Sequence, residues 1–185
     1  MDGILGNNGP LRDFPWRELV WGTAATLMLA AVIAKLTLPD FGWSPGDFVA
    51  ATVLLGGGAL AFELALRMAR GSTAYLIAAA MGIGACFLLV WINGAVGIIG
   101  DEDNAANLGF LGIVAIAGLG ALGARFRAGG MSRVMTVCGA AQLGMAGYAF
   151  WLSSIEGVVA SLVFTGIWFT AAHLFRAAVR DEQEH

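Results

Sequence analysis

Nine of the ten basic residues fall in alternate gaps between six apolar stretches. Arg12 and Arg17 precede the first stretch, Arg67 and Arg70 separate the second from the third, Arg125, Arg127 and Arg133 separate the fourth from the fifth, and Arg176 and Arg180 follow the sixth. Only Lys35 lies on the other side. Basic loops stay cytoplasmic when helices insert into a bilayer, so this alternation predicts six crossings with both termini in the cytoplasm.

Composition agrees. In 185 residues, 58% are hydrophobic, 12% are charged and the mean hydropathy is +0.78. Soluble domains carry about 25% charged residues. Six spans of about 20 residues take up roughly two-thirds of the chain. The expected fold is all-α: a polytopic membrane bundle of six transmembrane helices in three antiparallel hairpins. A cytoplasmic lead at 1–15 precedes the transmembrane domain at 16–177, and a cytoplasmic polar tail follows at 178–185. The formal charge of −3 and the dispersed arginines give no footprint for a nucleic-acid partner. The expected partners are the lipid bilayer and either a second copy of the chain or another membrane protein.

The spans are expected at 16–38, 47–68, 73–99, 105–124, 134–152 and 158–177. The first is too long for a signal-peptide core and runs into Thr37-Leu38-Pro39-Asp40 without a small-residue cleavage pattern, so it reads as a retained helix. Ser44 and Asp47 are available to cap the second. The third is longer than a bilayer requires, which predicts a tilt or a break at Asn93-Gly94. Trp16 and Trp21 at an inner end, with Trp43, Trp91 and Trp151 at outer ends, match the interfacial preference of indole. Trp168 alone falls within a span. Cys86 and Cys138 lie at depths differing by roughly 10 Å, beyond disulfide reach between untilted helices. The 27 glycines predict close packing through small faces such as Gly120/Ala124 and Ala140/Gly144.

The most distinctive segment is Trp91-Ile-Asn93-Gly94-Ala-Val-Gly97-Ile-Ile-Gly100-Asp101-Glu102-Asp103-Asn104-Ala-Ala-Asn107. It resembles a stretch of an uncharacterised family of small bacterial multi-pass inner-membrane proteins, in which Asn-x-Ala-Val-Gly-Ile-Ile-Gly precedes Glu-Asp-Asn and a second Asn. The resemblance implies a bacterial inner-membrane location and supplies no activity. From the residues themselves, Asn93, Asp101, Glu102, Asp103, Asn104 and Asn107 gather oxygen ligands of the kind a hard cation takes. The plainer reading is that Asp103 or Asn104 caps the fourth helix and the acidic residues complement its dipole.

Glu63 is the only carboxylate in the apolar part of a span, four residues before Arg67. His173 precedes Arg176 by three. Both are expected about 5 Å inside the cytoplasmic boundary, where a Glu63–His173 contact is a candidate proton relay, with Gln142 as a further polar site. Against that stands an ordinary pairing of Glu63 with Arg67 and of His173 with headgroups. One histidine in the spans is too few for a bis-His haem, and His185 in the tail is no partner for it. No cofactor and no catalytic or metal-ligating set is expected: the chain carries neither a phosphate-binding glycine loop nor a nucleophile beside a base. The leading expectation is an interaction, assembly or structural component of the membrane. The alternative is a small-solute or ion transporter or channel, with Glu63 and His173 at its inner end and 93–107 at its outer end. A membrane enzyme acting on lipid or quinone ranks last.

Overall fold

The computed structural model describes residues 15–69, 71–101 and 103–183. Most of the lead, Arg70, Glu102 and the last two residues of the tail lie outside them. Among the described residues the chain is helical throughout: α1 (Trp16–Thr37), α2 (Pro45–Met68), α3 (Thr73–Ala95), a short 3-10 turn (Ala105–Asn107), α4 (Leu108–Gly123), α5 (Ala128–Trp151) and α6 (Ile155–Gln183). The chain divides between Arg67 and Met68 into two compact units.

In the first unit α1 and α2 are joined by the breaker-rich turn at 38–44. Ser44 caps α2 reciprocally. Its backbone N–H and its hydroxyl donate to Asp47 Oδ2 at 2.7 and 2.8 Å, and the Asp47 N–H donates back to Ser44 Oγ at 3.4 Å. Pro45 follows as the first helical residue, where its missing N–H costs nothing. α1 and α2 run antiparallel, since the Trp16 ring near the start of one meets Phe62 near the end of the other at 6.2 Å. No residue of α1 is buried.

In the second unit α3 packs on α4, α4 on α5, α5 on α6 and α6 back on α3. This closes a ring of four helices joined by short connections, the up-and-down bundle of antiparallel neighbours. Its two ends are defined by contacts. At one end the loop 96–104 meets the start of α6, where a Cβ on Gly157 would lie 2.8 Å from Ile99 Cγ1. At the other the Tyr75 hydroxyl donates to the Phe126 carbonyl at 2.6 Å and Ser72 Oγ lies 3.4 Å from Asp181 Oδ2. The core between them holds Trp168, Phe110, Phe175 and Leu89, all fully buried. Trp168 is thus the tryptophan that leaves the interface because the bundle core needs it.

Among the described residues five helical segments are long and apolar enough to cross a membrane: Trp16–Thr37, Pro45–Met68, Thr73–Ala95, Ala105–Gly123 and Ile155–Asp181. The expected sixth, α5, is long enough but not apolar enough. Its buried residues include Ser132 and Gln142 besides alanines, methionines, Cys138 and Gly139. α5 packs against both α4 and α6. α5 also begins at Ala128 rather than at 134. Ala128, Met131 and Ser132 are buried, and Ser132 Oγ donates to the Ala172 carbonyl at 3.0 Å, so the Gly129-Gly130 pair becomes helix instead of turn. α6 runs to Gln183, past the expected boundary at 177.

The glycine faces divide. A Cβ on Gly120 would meet Val134 Cγ1 at 2.7 Å, which makes it a close-approach position between α4 and α5. Gly144 has nothing within 4 Å and is exposed, as is Ala140, so the Ala140/Gly144 face is no close-approach position among the described residues of the second unit.

Candidate functional site

The break foreseen in the third span occurs just past Asn93-Gly94, with α3 ending at Ala95. The Val96 and Gly97 N–H groups both donate to the Ile92 carbonyl at 3.0 Å, and Gly97 turns the chain out at φ +75. A side chain there would collide with the Asp101 carbonyl and lie 2.9 Å from Asn107 Nδ2. Glycine is therefore required both by the dihedral and by the space.

Asn107 explains why the loop folds back. Its Oδ1 accepts from the Ile98 and Ile99 N–H groups at 3.1 and 2.9 Å, while its Nδ2 donates to the Ile99 and Asp101 carbonyls at 3.3 and 2.7 Å. The side chain is buried. A carboxamide offers two donors and one acceptor oxygen with two lone pairs, so every site it has is spent on the backbone of its own loop. Asn104 caps the 3-10 turn, its Oδ1 accepting from the Ala106 N–H at 3.0 Å. Asp101 and Asp103 are exposed, and Glu102 lies outside the described residues. Among the described residues no group of three or more His, Cys, Asp or Glu side chains is arranged to hold a metal ion. Of the six residues singled out in this segment, the structure engages Asn104 and Asn107 as scaffolding.

Asn93 stands apart from that loop, buried on α3. Its Nδ2 donates to the Leu89 carbonyl at 2.7 Å, and its Oδ1 has no hydrogen-bond partner. Gln142 on α5 is fully buried. Its Oε1 accepts from the Trp168 indole N–H at 3.4 Å, and its Nε2 has no partner. Ser161 on α6 is likewise fully buried with an unpartnered hydroxyl. Three polar side chains with unmet hydrogen-bonding capacity thus face the interior of the four-helix ring. Among buried polar groups such cases are the exception.

Glu63 belongs to the first unit, with its side chain 15% exposed. It accepts from Arg67 Nη2 at 2.6 Å and from the Trp21 indole N–H at 3.2 Å, and Arg17 Nε lies at 3.7 Å. The Arg67 pair follows from the i, i+4 spacing on one helix. Arg17 and Trp21 are the part that spacing does not reveal, since they come from α1. The carboxylate fastens α1 to α2, accepting two hydrogen bonds and pairing with a second arginine. His173 lies in the second unit, exposed on α6. Its neighbour Arg176 is the better-engaged side chain: Nε donates to Ser132 Oγ at 3.1 Å and Nη2 to Thr136 Oγ1 at 3.2 Å, binding α6 to α5 through hydroxyls. Cys86 and Cys138 are both free thiols.

Neither Ser161 nor Ser132 as a partner of Arg176 stands out in the sequence. The available signal was the heptad spacing of Ser161, Trp168 and Phe175, which puts the serine on the face of α6 that carries the two largest core rings. Compared with family models, with curated proteins and with solved structures, the chain finds no match.

Proposed function

We propose that the chain is a multi-pass protein of the bacterial inner membrane. It crosses six times with both termini cytoplasmic and serves as an interaction, assembly or structural component rather than as a catalyst. The observation that carries the membrane topology is the separation of charge in the second unit. Arg125, Arg127, Arg133, Arg176 and Arg180 gather at the end that holds the 124–127 turn, whereas Asp101, Asp103 and Glu156 lie at the other. The shortest helix between the two ends, α4, has 16 residues, or about 24 Å of rise. In a membrane this supports a topology with the arginines on the cytoplasmic face.

The non-catalytic, non-conducting part of the reading is supported by how the polar residues are used. Glu63 is held by hydrogen bonds from Arg67 and Trp21 and an ion pair with Arg17, Asn107 is spent on its loop, and His173 is exposed. In the second unit the space between the helices is filled by Trp168, Phe175, Phe110 and Leu89. A conducting path would need an open polar lining along that axis, whereas the buried Asn93, Gln142 and Ser161 share it with those closely packed apolar side chains. α1 supports an interaction role: outside the half-buried stripe Trp16, Val20, Ala24, Met28, Ala31 and Ala34, this 22-residue apolar helix leaves Leu27, Leu29, Ile33 and Leu36 exposed for lipid or for a partner helix.

Two measurements test this reading. Proteoliposomes loaded with a pH-sensitive dye should show proton leak equal to that of protein-free vesicles under an imposed gradient. Native electrophoresis after extraction in mild detergent should show a species larger than the 19.2 kDa monomer with its detergent. Gradient-driven proton flux that disappears in Glu63→Gln would overturn the reading in favour of the transporter.

A further inference from the structure

Two contacts set the register between the antiparallel helices α3 and α6. The Tyr75 ring meets Phe175 edge-on at 5.1 Å, and a Cβ on Gly82 would lie 4.0 Å from the Trp168 ring. Each step of seven residues forward on α3 is answered by seven backward on α6. Seven residues are close to two turns and return to nearly the same face. The next rung of this ladder pairs Leu89 with Ser161. Asn93 lies one turn beyond Leu89 on that face, and its side chain reaches back to the Leu89 carbonyl at 2.7 Å. Its carboxamide therefore returns to the Leu89–Ser161 level. Exposure at this level is 0% for Leu89, 6% for Asn93 and 0% for Ser161.

The orientation of the Asn93 amide follows from chemistry. A backbone carbonyl only accepts, so the group facing Leu89 is the NH₂ and the atom left over is the acceptor Oδ1. On the facing helix Ser161 Oγ can donate and accept. Neither atom has a hydrogen-bond partner. A buried acceptor and a buried hydroxyl in one layer, not bonded directly, are the polar pair that one water molecule joins. Further along the axis the layer is closed on both sides. Ile99, gripped by Asn107, packs at the Gly157 position toward the loop end, and Trp168 fills the next rung inward.

We propose that Asn93 and Ser161 form an internal hydration site between α3 and α6. It takes a single water-sized hydrogen-bonding molecule that donates to Asn93 Oδ1 and pairs with Ser161 Oγ. The site is enclosed and leads nowhere, so its role is to satisfy the two helices where α3 stops. It does not rest on the proposed function.

The test is hydroxyl-radical footprinting of the detergent-solubilised full chain, in which X-ray pulses generate radicals from water and oxidation is read by mass spectrometry. Leu89 and Phe110 are both fully buried. A bound water beside Leu89 should make its oxidation at least several-fold faster than that of Phe110, although a phenyl ring is intrinsically no less reactive than a leucine side chain. Asn93→Leu combined with Ser161→Ala should return Leu89 to the Phe110 rate. Equal protection of Leu89 and Phe110 in the unmodified protein would overturn the site. Ser161→Ala alone gives an independent reading. A bridged water losing one partner lowers Tm, whereas a dry, orphaned hydroxyl replaced by a methyl raises it and overturns the proposal. A lowered Tm with Leu89 fully protected identifies a direct Ser161–Asn93 bond and overturns it equally.

Discussion

The carboxamide of Asn107 holds Ile99 from both sides of its peptide unit. Oδ1 accepts from the Ile99 N–H at 2.9 Å and Nδ2 donates to the Ile99 carbonyl at 3.3 Å. A side chain eight residues later in sequence thus imitates the neighbouring strand that the loop lacks. Asn107→Ala removes all four bonds and leaves two buried N–H groups without partners. The expected loss is about 2–4 kcal/mol, summing modest net bonds and the cost of orphaned donors. Asn107→Asp should be worse than Asn107→Leu, because a carboxylate keeps the acceptor but faces two carbonyls with no N–H to offer. Thermal unfolding in detergent orders the three variants.

Backbone conformation gives a pair of opposite predictions. Ser153 has φ +59 in the turn after α5, where its N–H donates to the Phe150 carbonyl and that of Ser154 to the Ala149 carbonyl. This is the helix-ending arrangement in which glycine is preferred. Ser153→Gly should therefore stabilise by about 0.5–1 kcal/mol, the left-handed penalty less the entropy of glycine. Gly97→Ala should do the reverse and cost more, since the added Cβ also collides with the Asp101 carbonyl.

Trp168→Ala empties the largest fully buried side chain of the second unit and strips Gln142 Oε1 of its donor. Large-to-small core changes of this kind cost about 3–5 kcal/mol. The unfolding midpoint in denaturant should fall accordingly, while Trp151→Ala, at a site 75% exposed, should leave it nearly unchanged.

The Trp21 indole is a built-in reporter of the α1–α2 clasp, because its N–H donates to Glu63 Oε2 at 3.2 Å. In a background retaining Trp21 as the sole tryptophan, Glu63→Ala should shift its emission and increase its accessibility to acrylamide. Glu63→Gln, which keeps an acceptor oxygen, should give the smaller change.

How much of this was legible in the sequence depends on the range of each interaction. Helix number, the break past Asn93-Gly94 and the Ser44–Asp47 cap are written in neighbouring residues, so apolar runs, glycine and capping chemistry announce them. The Glu63–Arg67 pair is legible for the same reason. Trp21 and Arg17 on that carboxylate are not, since they depend on how two helices cross. Asn107 stands in the sequence as one candidate oxygen ligand beside the plainer turn reading, because an asparagine among acidic residues has the right oxygen. Only the folded loop shows that its amide is already spent. The α5 boundary was misplaced because glycines and an arginine read as turn, whereas burial of Met131 and Ser132 against α6 holds them helical. Ring closure of α3 through α6 has no local signature at all.

The central claim is the alternation of the chain across the membrane, and compartment-specific labelling tests it most directly. In a background with Cys86 and Cys138 replaced, Glu156→Cys and Asp181→Cys are each exposed to a membrane-impermeant maleimide in intact spheroplasts and after permeabilisation. The account predicts that Glu156→Cys is labelled in intact spheroplasts and Asp181→Cys only after permeabilisation. Labelling of both positions from the same side would contradict it.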